Sequence, residues 1–182
     1  QKDLIVYDEL IHNSALQGFL LAGSRRIGYY HNDYGDLEKI LKNNRTDYQK
    51  ILIITEGVFS MDGDIPSLPR IIEIKKKYKA ILMIDEAHSL GTIGKTGRGV
   101  GEYFHIDPGD VDIWMGTLSK ALASCGGYIA GHKLLITYLK YTVPGFLYSA
   151  GIPPASTAAA LCALEVLQKE QGLFKKLHEN AE

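Results

Sequence analysis

The chain has 182 residues, with 20 Lys+Arg against 21 Asp+Glu and a formal net charge of -1, so the totals give bulk nucleic-acid binding no support. Hydrophobic residues make up 46%, enough for one buried core, and no apolar run approaches the roughly 18 residues that mark a membrane span. Cys125 and Cys162 are too few for a disulfide framework or a structural zinc site and fit a reducing, cytoplasmic setting.

The start, QKDLIVYDEL, has no basic flank followed by a long apolar core, so no signal peptide is read there. Short β-branched apolar runs then recur along the chain: Leu4 to Tyr7, Ile51 to Thr55, Ile81 to Ile84, Val111 to Met115 and Gly127 to Ala130. Each reads as a buried strand. Helical periodicity falls between or after them, over Asn13 to Leu21, Asp36 to Leu41, Leu68 to Tyr78 and Lys133 to Tyr141. Ala155 to Gln168, behind Pro153-Pro154, is a further helix, and a charged one, LFKKLHENAE, closes the chain. The alternation predicts an α/β sheet, largely parallel and covered by helices, in a single domain or part of one.

Two phrases in ILMIDEAHSLGTIGKTG invite a nucleotide-binding reading: D-E-A-H at Asp85 to His88 and G-K-T at Gly94 to Thr96. A P-loop, G-x-x-x-x-G-K-[ST], needs its first glycine five residues before Gly94, where this chain has Ser89. The carboxylates also precede the G-K-T, the reverse of the helicase order. GTIGKTGRGVG therefore reads as a glycine-rich surface loop.

The strand ends carry a different chemistry. Asp85 follows four apolar residues, at the carboxyl end of a strand where open α/β sheets place their ligands. A carboxylate there needs a cation or hydrogen bonds, and His88 lies three residues on. The next strand runs into GTLSKALASCGG, with Lys120 among small and hydroxyl residues. A lysine kept from solvent in such a place has a lowered pKa and a neutral amine fit for an imine. The competing readings are a helix-capping Asp85 and an exposed Lys120. Together, an amine, an acid, a histidine and the hydroxyls of Thr117 and Ser119 match the needs of pyridoxal phosphate.

Across its whole length the sequence resembles the α-oxoamine synthase family of pyridoxal-phosphate enzymes. The resemblance runs in order through YDELIHNSALQG, HND, TEGVFSMDGD, IDEAHSLGTIGKTGRGVGEYF, DVDIWMGTLSKALASCGGYIAG and FLYSAGIPP. It implies the central part of the large cofactor-binding domain of the fold-type I, aspartate aminotransferase-like enzymes. An earlier phosphate-cradling segment and a smaller carboxyl-terminal domain would lie outside residues 1–182. Lys120 would hold the cofactor and move the substrate's α-proton, Asp85 would pair with the ring nitrogen, and His88 would bond the ring hydroxyl oxygen. His12 would stack on the ring and help position the substrate carboxylate, Ser60 would lie beside the cofactor, and Thr117 would bind its phosphate. Ser149 would reach the phosphate of a neighbouring subunit, implying a homodimer with shared sites, although Ala150 and Gly151 stand where the family often has a second hydroxyl. His31, Asn32, Asp33 and Arg98 fit the pattern in structural roles.

The resemblance implies condensation of an amino acid with an acyl-CoA or acyl-carrier-protein thioester, with loss of CO2, to an α-amino ketone. Residues 97–131 lean to the serine palmitoyltransferase branch, with serine as substrate, and the alanine-using 8-amino-7-oxononanoate synthases are the near competitor. Amino-group transfer on the same fold and a non-catalytic subunit are the alternatives from other classes. The joint presence of Lys120, Asp85 and His88 weighs against the second.

Overall fold

The apolar runs do what their composition dictates and pair as the middle of a sheet. The computed structural model describes residues 2–181. In chain order they form β1 (Asp3–Asp8), α1 (Asn13–Ala22), β2 (Arg25–Tyr29), α2 (Tyr34–Asn44), β3 (Lys50–Glu56), α3 (Leu68–Tyr78), β4 (Ile81–Asp85), α4 (Val100–Tyr103), β5 (Ile113–Thr117), β6 (Gly127–Gly131), α5 (Lys133–Thr142), α6 (Pro144–Leu147), α7 (Pro154–Lys169) and α8 (Gln171–Ala181). The sheet order is β2-β1-β3-β4-β5-β6. All neighbours are parallel except β5 and β6.

The five expected strands are present, and β2 is the addition. Its sequence, RRIGY, has no apolar run because it is an edge strand with Arg25 and Arg26 exposed, and charge on an edge discourages pairing with another chain. The turn to antiparallel at β6 was also absent from the sequence reading. It needs no crossover, because β5 and β6 are joined by a loop rather than a helix.

The core lies where the strands are covered on both faces. Val6, Ile51, Ile53, Leu82 and Ile84 are fully buried, packed with Leu37 and Leu41 of α2 and Leu68, Ile71 and Ile74 of α3. The α3 segment shows why the sequence is read so easily here. Pro69 sits in its first turn, its apolar residues recur at helical spacing, and Lys75, Lys76 and Lys77 complement the negative end of the helix dipole. Two of those lysines also tie the helix to the entry of β5, Lys75 to Asp112 at 2.7 Å and Lys76 to Asp110 at 2.5 Å.

The topology sets the place of any ligand. After β1 the chain steps outward to β2, then returns to the other side of β1 as β3, so the winding reverses between β1 and β3. Ligands of such sheets gather beyond the carboxyl ends of the strands at that reversal. The residues there are Asp8, Glu56, Asp85 and Thr117, one at the end of each of β1, β3, β4 and β5.

Leu82 lies at the centre of this packing and is wholly inaccessible to solvent. Leu82→Ala should destabilise the protein by about 3 kcal/mol, read as a fall in the urea midpoint at unchanged slope. A loss below about 1 kcal/mol would show that the middle of the sheet does not carry the stability assigned to it.

Candidate active site

Each site residue is delivered by the end of a strand and the turn that follows. Asp85 closes β4 and its Oδ1 accepts the N–H of Ala87 at 2.8 Å, which turns the chain sharply and returns His88 to the same edge of the sheet. Glu86, buried in that turn, accepts the Ser89 hydroxyl and, at 3.3 Å, the N–H of Val100. A side chain at Gly99 would collide with this carboxylate, so the glycine makes room for it.

One strand over, Thr117 closes β5. Its Oγ1 accepts the Ser119 N–H at 3.2 Å, lies 2.8 Å from the Ser119 hydroxyl and donates to the Gly126 carbonyl at 3.2 Å. The Leu118 N–H donates to Gly126 and the Ser124 N–H to Leu118, so the loop is closed at its base and Lys120 stands near its tip. There the Lys120 Nζ lies 2.6 Å from Nε2 of His88. Burial and the Lys120 charge hold His88 below the ordinary histidine range, which makes it a neutral acceptor for the lysine ammonium. Lys120 is exposed in this chain, on the loop that follows β5, the second of the two readings the sequence left open for it.

Asp85 is 5% exposed, and its carboxylate accepts a hydrogen bond from the chain turn. Burial raises its pKa, while the Ala87 amide and the charges of Lys120, His12 and His88 pull the other way. Asp85, His12, His88 and Lys120 are thus one electrostatic group. His12 caps α1, with Nδ1 accepting the Ser14 N–H at 3.2 Å, and its own N–H donates to Glu56 Oε1 at 2.6 Å.

The remaining predicted residues lie apart in their bonding. Thr117 sits at the neighbouring strand end with its hydroxyl turned into its own loop. Ser60 is exposed in the turn after β3. Ser149 is exposed beyond α6, its hydroxyl bonded to the Gly145 carbonyl.

Sequence reasoning missed Glu56. It is 2% exposed and paired in register with Asp85 across β3 and β4. Burial and the Asp85 charge push its carboxyl up to about 7, against the His12 N–H and Lys120. The signal was present, since Glu56 ends the apolar run ILIIT just as Asp85 ends ILMI. The HND stretch has structural bonds. His31 bridges Asp8 and Asp64 at 2.8 Å each, the Asn32 N–H donates to Asp8, and Asp33 caps α2. Burial lowers the His31 pKa, but the two carboxylates outweigh it and the histidine is held above its usual range.

The G-K-T phrase lies in a loop whose donors point at a carboxylate of the chain itself. Glu102 accepts the Thr96 N–H at 2.9 Å, the Thr96 hydroxyl at 2.7 Å and the Arg98 N–H at 3.1 Å. Lys95 is exposed.

The mainly parallel six-stranded sheet with flanking helices is the fold of the fold-type I enzymes, and an amine, two imidazoles and a buried acid stand at its carboxyl edge. The chain belongs to the aminotransferase class I and II family, whose profile matches residues 1–182. It is 48% identical to the 8-amino-7-oxononanoate synthase of Fervidobacterium nodosum over 100% of its own length and 46% of that protein's. It is 45% identical to the long chain base biosynthesis protein 2b of Arabidopsis thaliana, over 93% of its length and 36% of that protein's. A serine palmitoyltransferase solved with pyridoxal phosphate superposes on the whole chain with a TM-score of 0.93 at 29% identity, 45% of that chain being matched. The chain therefore spans about half the length, or less, of the proteins it matches. The oxononanoate synthases and serine palmitoyltransferase are both α-oxoamine synthases, the group whose motifs the sequence carries.

Burial alone would raise the Glu102 pKa, but Thr96 and Arg98 donate to it and hold it below the usual carboxylate range. The loop is therefore tight at neutral pH and loosens only as pH falls through that lowered value. Glu102→Ala should speed amide hydrogen exchange at Thr96 and Arg98 by about tenfold. Lys95→Ala should leave exchange and turnover close to wild type, and a large loss of activity in Lys95→Ala would reopen the nucleotide reading.

Proposed function

We propose that the protein carrying this chain is a pyridoxal-phosphate-dependent α-oxoamine synthase, joining an amino acid to an acyl thioester with loss of CO2. The observation that carries this reading is the 2.6 Å approach of Lys120 to His88 beside the buried Asp85, at the carboxyl edge of the sheet. The donor set suits the cofactor. Asp85 is a buried carboxylate whose hydrogen bond from Ala87 is local, and a cationic ring nitrogen is the partner such a group calls for. When bound, pyridoxal phosphate supplies an electron sink that stabilises negative charge at the α-carbon of an amino acid.

In this reading Lys120 would hold the cofactor through its side-chain amine, and the same amine would take and return the α-proton of the amino acid. Asp85 keeps the ring nitrogen protonated. His88, neutral and already oriented toward Lys120, donates to the ring hydroxyl oxygen. His12 lies against the ring and helps position the substrate carboxylate, and Ser60 contacts the ring substituents. Thr117 gives its hydroxyl to the phosphate, exchanging its present bonds within the loop, and Ser149 serves the phosphate of a second subunit in a homodimer.

Residues 1–182 are then a single partial domain of a larger enzyme, a reading supported by the 46% share of the oxononanoate synthase that they match. The two free cysteines, both exposed, support a cytoplasmic setting, and among the described residues no helix is long and apolar enough to cross a membrane. For the amino acid, the sequence reading favours serine. The 48% identity to an oxononanoate synthase favours the alanine alternative.

The test is covalent. The intact protein with pyridoxal phosphate should show a visible absorbance band that borohydride removes, leaving a reduced adduct that mass spectrometry assigns to Lys120. Lys120→Ala should lose the adduct, and Asp85→Asn should keep cofactor binding while lowering turnover by about 100-fold or more. Serine, alanine and glycine added in turn, each with an acyl-CoA, identify the substrate by CO2 release. No band and no adduct in the folded protein would remove the enzyme reading, and unchanged turnover in Asp85→Asn would remove Asp85 from the mechanism.

A further inference from the structure

Glu56 is built into the edge of the sheet with unusual firmness. Its backbone is the last of β3 and is paired with Asp85. The next residue, Gly57, donates its N–H to the Asp85 carbonyl at 2.7 Å, and a side chain at Gly57 would collide with Ser89. The Glu56 backbone is thus fixed to β4 both in the strand and in the turn that follows it.

From that position its Oε1 accepts the N–H of His12 at 2.6 Å, across 44 residues of sequence. This is a tie across the winding reversal, from the end of β3 to the chain that leaves β1. It acts on the backbone of the residue whose ring stands at the site, just where that residue adopts the extended conformation of a helix cap, φ -56 and ψ 140. The His12 ring is meanwhile held by its own cap contacts to Ser14. The ring is therefore held on a backbone whose position Glu56 fixes.

We propose that Glu56 is a positioning residue that sets the placement of the His12 imidazole, and that it couples this placement to the charge at Asp85. The charged groups facing the Glu56 carboxyl are Asp85 of β4, Asp8 of β1 and Lys120 of the loop after β5, with the His12 amide as its hydrogen-bond donor. Two of the three charges are negative, and the site is buried, so the carboxyl carries its proton up to about pH 7. Below that pH the negative charge of the Glu56–Asp85 pair is on Asp85 alone. Above it a second negative charge appears on the neighbouring strand, and the His12 amide then donates to a carboxylate, a stronger acceptor. The sign for stability follows. A carboxyl whose folded pKa is raised stabilises the fold least at high pH, and the contribution of Glu56 declines as pH rises from the ordinary glutamate value through 7.

The role assigned to His12 rests on the proposed cofactor chemistry, and the experiment separates the two. With histidine labelled by 15N in the intact apo-protein, the His12 amide resonance should move with an apparent pKa between about 6 and 8 in the wild type and stay fixed in Glu56→Gln. In Glu56→Asp the carboxyl is one methylene shorter, and the amide should lose its hydrogen-exchange protection. In the loaded enzyme, Glu56→Asp should raise KM for the amino acid about tenfold with cofactor affinity changed less than twofold, and Glu56→Gln, which keeps an acceptor oxygen, should recover that KM. A His12 amide that titrates identically in wild type and Glu56→Gln overturns the coupling. An unchanged amide and an unchanged KM in Glu56→Asp overturn the positioning role. If the wild type takes up no cofactor, the functional reading fails, and the amide measurements on the apo-protein still decide whether Glu56 governs His12.

Discussion

A carboxylate at the end of a buried strand must be answered, either by hydrogen-bond donors or by a positive charge. Four such acids crowd the carboxyl edge of this sheet, and the way each is answered explains the local structure. Asp8 is met by His31 and by the amides of Leu10 and Asn32. Glu86 is met by the Ser89 hydroxyl and the start of α4. Glu56 takes the amide of His12. Asp85 has the Ala87 amide, and beyond that the nearby charges of Lys120, His12 and His88. Three acids have spent themselves on holding loops, and the fourth faces the lysine and the two histidines. This difference in how the acids are satisfied distinguishes a site from a scaffold here more clearly than any one motif.

The division also explains what was legible in the sequence. The central strands and α3 were read closely because full burial on both faces leaves uninterrupted apolar runs, and because one buried stripe leaves a clean helical period. β2 escaped for the opposite reason. An edge strand has little to bury, and its arginines and glycine carry no strand signal. At the site, Asp85, His88 and Lys120 were found because strand ends and their following turns are local in sequence. The tie from Glu56 to His12 spans 44 residues and joins a side chain to a backbone amide, a contact that no spacing rule encodes. Ser60 and Ser149 entered through the resemblance alone; both are exposed, and the Ser149 hydroxyl is bonded to the Gly145 carbonyl.

Sheet order gives the site both its rigidity and its reach. Glu56 and Asp85 are held in register by the β3–β4 ladder, while Thr117 lies two residues past the β4–β5 pairing and is held by β6. Lys120 and His12 arrive on loops, closed at the base in one case and pinned by a cap in the other. Acids on strands, with an amine and an imidazole on loops beside them, suit a chemistry in which one partner must stay aligned with a ring while another exchanges partners.

The loop around Gly94 to Arg98 carries a last lesson. Backbone donors arranged about an anion are the working part of a phosphate-binding loop, and this chain has such donors, but Glu102 already occupies them. A tethered carboxylate is present at an effective concentration that a free anion in the cell does not approach. The loop thus behaves as a receptor permanently saturated by its own ligand. Its resemblance to a nucleotide-binding phrase records a shared solution to holding glycine-rich backbone still, with no exchangeable guest.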